Sequence, residues 1–207
     1  MEKLRFLIRV VFFCVTVTVL ILGCGKEKGG NELMERTVII TFMGNPLTLI
    51  GDEVKVGDRM PDCTVVDKNL APVKLSSFRD KVCIISSVPS LDTSVCDIMT
   101  RKFNKEAIAL GDDVVVLAIS MDLPFAQDRW CIAADVKNVH VLSDHRAASF
   151  GQAFGVLIKD LRLLARAVFI MDREGIIRYT EIVNEITHEP DYEAAFKAVK
   201  MVENETG

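Results

Sequence analysis

Pro89-Ser90-Leu91-Asp92-Thr93-Ser94-Val95-Cys96 places a cysteine where a buried strand gives way to a long helix. These residue types suit thiolate chemistry. The first turn of a helix leaves backbone N–H groups without intrahelical partners, and its dipole favours negative charge. A cysteine there is biased towards the thiolate, the form that attacks electrophiles. Thr93 lies three residues earlier, so its hydroxyl can turn towards the sulfur or an oxygen bound to it. Pro89 stiffens the approach and shields it from water. Asp92 reads as a helix cap rather than a catalytic group.

The other five cysteines are Cys14, Cys24, Cys63, Cys83 and Cys131. They form no CxxC pair and no metal-type Cys/His spacing. Cys63 and Cys83 fall in strand-like runs with apolar neighbours and read as small core residues. His140, His145 and His188 have no ligand spacing and receive no role. No metal and no cofactor is expected.

The elements that must carry Cys96 follow from pattern. Thr37 to Met43 and Pro46 to Ile50 flank Gly44-Asn45, which predicts an N-terminal β-hairpin. Cys63 to Asp67 and Val82 to Ser87 read as strands, the second buried. Val95, Met99, Phe103, Ala107 and Leu110 recur at nearly helical spacing and predict a helix over 94–110. Asp113 to Ser120 is a strongly apolar strand. Pro124 suits the first turn of a second helix. Val139 to Leu142 predicts a short strand and Ala148 to Phe154 a short helix. Ala167 to Met171 and Ile176 to Glu181 read as a hairpin around Asp172-Arg173-Glu174-Gly175. Asp191 to Val202 reads as a closing amphipathic helix. Strands alternating with helices, then a hairpin and a helix, indicate an α/β sandwich around one mixed sheet.

The motif Pro-x-x-x-Thr-x-x-Cys, opening a helix after a buried strand, resembles that of the peroxiredoxins. Ser120-Met121-Asp122-Leu123-Pro124-Phe125-Ala126-Gln127-Asp128-Arg129-Trp130-Cys131 is similar to the resolving-cysteine segment of the thiol peroxidase subfamily. Leu142 to Arg146, Ala165 to Val168 and Asn184 to Tyr192 resemble it as well, so the likeness runs from about Thr37 to Val202. It implies a thioredoxin-like fold and a homodimer. Cys96 would be the peroxidatic cysteine, attacking a peroxide oxygen and becoming a sulfenic acid. Thr93 and Arg146 match the activating pair, and Pro89 the pocket-lining proline. Cys131 matches the resolving cysteine, which would close an intramolecular disulfide with Cys96. Arg166 is open between approaching the same pocket and forming a structural salt bridge. Ser86-Ser87-Val88 departs from the bulkier residues usual before the proline, which bears on peroxide selectivity.

The N-terminus reads as a targeting segment. Lys3, Arg5 and Arg9 precede an uncharged run of 13 residues, Val10 to Leu22. That is short for a membrane span and right for a signal h-region. Ile21-Leu22-Gly23-Cys24 resembles a bacterial lipobox, so 1–23 is expected to be a lipoprotein-type signal peptide and Cys24 the lipidated residue. A flexible, Gly-rich charged tether over 24–36 would lead to a single thioredoxin-like domain over 37–207. The domain would then be exported and held at a membrane, facing the periplasm or cell exterior, by its lipid alone. With a net charge of −4 and no basic stripe, no nucleic-acid partner is expected.

The functional expectation is a thiol-dependent peroxidase that reduces hydrogen peroxide and organic hydroperoxides. The resemblance implies thioredoxin or a thioredoxin-like protein as reductant. A module of another class, a redox sensor or thiol-exchange protein relaying oxidation to a partner, is the alternative. The absence of CxxC counts against it.

Overall fold

The computed structural model describes residues 34–111 and 113–205. The expected signal over 1–23 and the lipidation site at Cys24 lie outside those residues. Strand β1 (Glu35–Phe42) turns at Met43-Gly44 into β2 (Asn45–Ile50). Both turn residues have positive φ, 51° and 78°, the geometry a tight hairpin requires. The chain continues through β3 (Thr64–Val66), β4 (Pro72–Lys74), a 3-10 turn (Leu75–Phe78) and β5 (Val82–Ser87). Helix α1 (Ser94–Leu110), β6 (Val114–Ser120), α2 (Pro124–Ala134), β7 (His140–Ser143) and α3 (Ser149–Ala153) follow. Strands β8 (Leu157–Ile158), β9 (Ala167–Met171) and β10 (Ile177–Ile182) lead to the closing helix α4 (Tyr192–Glu205).

Seven strands make one mixed sheet in the order β10-β9-β5-β6-β7-β3-β4, and β1-β2-β8 make a second, smaller sheet. Side chains of β5 alternate between two cores, as the period of a strand requires. Val82 and Ile84 face a layer containing Phe103 of α1 and Tyr192, Ala195 and Val199 of α4. Cys83 and Ile85 face Ile40 and Leu49 of the hairpin and Phe150 and Phe154 around α3. Burial on both faces explains why β5 has no polar side. The result is the expected α/β sandwich. Pattern reading missed the short β4, β8 and 3-10 turn.

Pairing within the sheet places the chemistry. Strand β5 runs parallel to β6 and antiparallel to β9, with Ser87 opposite Ala167. The carboxyl end of β5 therefore meets the start of β9. Open α/β sheets put their working groups beyond the carboxyl ends of strands. Here that position brings together the loop leading to α1 and the residue just before β9, which is Arg166.

Candidate active site

Cys96 is the third residue of α1 and is fully buried. With Met99, Thr100 and Phe103 it forms the core-facing stripe of the helix, at the spacing of one helical face. Thr93 holds the cap position in extended conformation, yet its hydroxyl makes no capping bond. Its Oγ1 lies 2.8 Å from Cys96 Sγ and 2.9 Å from the Ser90 carbonyl. A hydroxyl has one proton, so it donates to one of these at a time. Beside a thiol, S–H donates to Thr93 and Thr93 donates to Ser90. Beside a thiolate, Thr93 donates to the sulfur. The capping expectation for Asp92 is corrected, since Thr93 takes that position and Asp92 is exposed. Pro89 is buried in the loop between β5 and the helix, where the motif puts it.

The guanidinium at the sulfur belongs to Arg166. Its Nη2 lies 3.4 Å from Cys96 Sγ, and its Nη1 lies 3.4 Å from the Met99 sulfur. Nε and Nη2 both donate to the Ile186 carbonyl, at 3.1 and 2.9 Å. This planar fork is fixed on one side by backbone and presents its charge to sulfur on the other. Arg166 is 1% exposed. A charge so buried needs partners, and here they are a carbonyl, a thioether and the reactive sulfur.

Arg146 does not join this site. It follows β7, two strands from β5, and its exposed guanidinium reaches out to the Leu70 carbonyl at 3.3 Å in the β3–β4 turn. The expected pairing of Thr93 with Arg146 is therefore corrected to Thr93 with Arg166. The signal available in the sequence was a lone charge inside Leu164-Ala165-Arg166-Ala167-Val168-Phe169, a run otherwise suited to burial. The motif likeness drew attention to the wrong arginine.

The strap that supplies the Ile186 carbonyl is itself braced. Ile186 N–H donates to the Thr41 carbonyl, and Thr41 N–H to the Asn184 carbonyl. The Glu185 carboxylate accepts from Thr41 Oγ1 and from the backbone N–H groups of Met43 and Gly44 in the hairpin turn. The Gly44 bond foremost lowers Glu185 to about 2, below the ordinary value of 4.5; burial opposes it, and the Thr41, Thr187 and Met43 bonds add to the lowering. The N-terminal hairpin thus anchors the loop on which Arg166 rests.

Cys131 lies on α2 and is half-buried. It lines a cavity of about 300 Å³ with Asp67, Lys68, Asp128 and His140. Cys96 is not among the residues that line this cavity, and both thiols are free. The preceding residue, Trp130, faces α1. Its indole N–H donates to Asp97 Oδ1 at 3.0 Å, and Arg101 lies over its ring at 5.8 Å. Arg101 also donates to Asp97 and to the Ala134 carbonyl. These contacts clasp α2 to α1 while the two cysteines face different surroundings.

The remaining thiols are separated by environment. Burial pushes Cys63 and Cys83 up to about 12. Burial also raises Cys131 above its ordinary value, with the Asp128 carboxylate adding to the effect and Lys68 opposing it. Among the described residues no group of three or more His, Cys, Asp or Glu could hold a metal ion.

The Redoxin family model matches residues 55–196. The chain is 56% identical over 161 residues to a thiol peroxidase of Halalkalibacterium halodurans, covering 78% of this chain and 96% of that one. It is 56% identical over 163 residues to a thiol peroxidase of Bacillus subtilis, covering 79% and 97%. Among solved structures, a peroxiredoxin-like protein from Aquifex aeolicus superposes with a TM-score of 0.75 at 45% identity, over 81% of this chain and 97% of that chain. The sandwich is thus the thioredoxin-like fold of the peroxiredoxins. A buried cysteine at a helix start, a threonine and an arginine on its sulfur, and this similarity over most of the length agree: the chain belongs to the thiol peroxidase family.

Proposed function

We propose that the protein reduces hydrogen peroxide and organic hydroperoxides with Cys96 as the attacking thiol. The observation that carries this reading is the convergence of Thr93 Oγ1 and Arg166 Nη2 on Cys96 Sγ, at 2.8 and 3.4 Å. The Cys96 thiolate attacks one peroxide oxygen, and the S–O bond forms as the O–O bond breaks. The departing oxygen leaves as water or an alcohol after taking up a proton. Negative charge moves from sulfur to that oxygen, and a fixed guanidinium beside the path stabilises it without reorganising. Thr93 can hold the peroxide through the same hydroxyl that faces the sulfur. The sulfenic acid on Cys96 is then attacked by Cys131, releasing water and forming the disulfide. A dithiol of thioredoxin type restores both thiols and takes the disulfide itself. The sequence usage before Pro89 bears on which peroxide is preferred.

Stopped-flow mixing of reduced protein with hydrogen peroxide and with an organic hydroperoxide tests the assignment. The expected result is second-order consumption at least about 10³ times faster than that of a free cysteine at the same pH, the order that preorganised charge supplies. Reaction at the free-thiol rate with both peroxides would overturn it and favour the relay alternative.

The setting is part of the same proposal. The basic residues Lys3, Arg5 and Arg9, the run Val10 to Leu22 and the Gly23-Cys24 pair support an exported lipoprotein, tethered through Cys24. Its reductant would then be a thioredoxin-like protein on the same side of the membrane, and the domain would work as a homodimer. In cells expressing the full chain, radiolabelled palmitate should be incorporated, and Cys24→Ser should abolish the label. Equal labelling of both forms would sink the anchor.

A further inference from the structure

The turn between β6 and α2 carries a carboxylate that the chemistry above does not use. Asp122 accepts three hydrogen bonds. Ser90 Oγ donates to Oδ1 at 2.7 Å, and Leu91 N–H and Ser120 Oγ donate to Oδ2, each at 2.8 Å. Among the described residues, none of its hydrogen-bond donors is a lysine or arginine. Ser90 and Leu91 belong to the loop between Pro89 and Thr93. The Ser90 carbonyl in turn accepts from both Thr93 N–H at 3.1 Å and Thr93 Oγ1 at 2.9 Å. That carbonyl is the second acceptor competing for the one proton of the Thr93 hydroxyl. The position of Ser90 therefore sets where Thr93 points, and Asp122 sets the position of Ser90.

The same turn is gripped from the other side. Buried Ser120 Oγ accepts from Gln127 Nε2 of α2 at 2.9 Å, and Gln127 also donates to the Leu142 carbonyl at 2.9 Å. Ser143 Oγ donates to the Asp122 carbonyl at 2.5 Å. Ser120, Gln127 and Ser143 are each 2% exposed or less. Gln127 lies one helical turn before Cys131 on α2. A single residue is thus bonded both to the loop that aims Thr93 and, through Ser120, to the helix that carries Cys131.

We propose that Asp122 is a positioning residue of the peroxidatic site, acting through Ser90 on the Thr93 hydroxyl beside Cys96. The inference rests on the peroxidase reading. Its chemistry is that of a fixed acceptor: Ser120 holds the carboxylate, and the carboxylate holds Ser90 Oγ and Leu91 N–H, which restrains the Ser90 carbonyl from turning away. Misplacing a group beside the reacting atoms costs rate steeply even when contacts elsewhere survive.

A double-mutant cycle separates this role from that of a turn stabiliser. The parent, Asp122→Ala, Thr93→Val and the double variant are compared for the second-order rate of Cys96 with hydrogen peroxide, after circular dichroism establishes that each is folded. Asp122→Ala is expected to slow the reaction about tenfold in the parent, and by less than about twofold in the Thr93→Val background, because its effect passes through Thr93. The absorbance titration of the Cys96 thiolate, followed in a Cys131→Ser background, should shift with Asp122→Ala and not with a turn variant such as Leu123→Ala. A folded Asp122→Ala protein reacting within twofold of the parent, or slowed equally in both backgrounds, would overturn the proposal. If Asp122→Ala does not fold, Ser90→Ala enters the same cycle, where about threefold slowing confined to the Thr93 background is expected and additivity refutes it. Slow reaction of the parent itself would instead refute the peroxidase reading, so the two failures are distinct.

Discussion

Arg166→Gln should slow peroxide attack on Cys96 by about 10² to 10³-fold, the range found when one preorganised donor is removed from a developing charge. Glutamine can still donate to the Ile186 carbonyl, so the strap keeps one of its two bonds. What is lost is the positive charge 3.4 Å from the sulfur. Stability should change far less than rate. Burying a charge is costly, and replacing it by a neutral group of similar shape is often neutral. Arg146→Gln is the internal control. Its side chain is exposed and bonded to Leu70 in the β3–β4 turn, so its rate should stay within about twofold of the parent. Stopped-flow traces on both variants check the pair. If Arg146→Gln is the slower one, the corrected assignment fails.

Cys131→Ser should reduce one equivalent of peroxide per chain at nearly the parent rate and then stop. Without a second thiol the sulfenic acid on Cys96 has no intramolecular exit, and steady turnover with a thioredoxin-like donor should fall by about 10²-fold or more. Mass spectra should show Cys96 as sulfenic acid, and as sulfinic acid under excess peroxide. In the parent, forming the disulfide requires Cα atoms about 5.5 to 6 Å apart, while the two thiols now face different surroundings. The clasp of Asp97, Arg101 and Trp130 must release for that approach. Each of its contacts is worth roughly 1 kcal/mol, so the opening is affordable on the time scale of catalysis. Trp130, the one tryptophan, loses its hydrogen bond to Asp97 in the process and should change its emission. The same emission change should be absent in Cys131→Ser. Sustained turnover by that variant, or an unaltered emission in the parent, would contradict an intramolecular cycle.

How much of this could be read from sequence depended on the range of the interaction. Helix α1 was legible to the residue, because Val95, Met99, Phe103, Ala107 and Leu110 recur at nearly helical spacing along its whole length. Pro124 marked the start of α2 for a local reason, its fixed φ and missing N–H. Strands β4 and β8 are three and two residues long, too short for any period to register. Arg166 was ambiguous because its meaning lies in the antiparallel register of β9 on β5, which no local pattern encodes. Asp122 was invisible as a functional group, since its partners Ser90 and Leu91 lie more than 30 residues away. Local chemistry announced Cys96 and Thr93, whereas Arg166 and Asp122 reach the site through long-range contacts.

The depth of Cys63 and Cys83 has a consequence for the lifetime of the molecule. Raised to about 12 by burial, either thiol is almost wholly protonated at neutral pH, and Cys83 is fully buried while Cys63 is 8% exposed. A catalyst that works in oxidant would otherwise accumulate stray lesions with every cycle. Here oxidation is directed to the Cys96 and Cys131 pair, which a reductant restores, while Cys63 and Cys83, whose oxidation would split the core, stay buried thiols. The endurance of the protein under peroxide is therefore set by how quickly Cys96 is resolved, not by how many cysteines the chain contains.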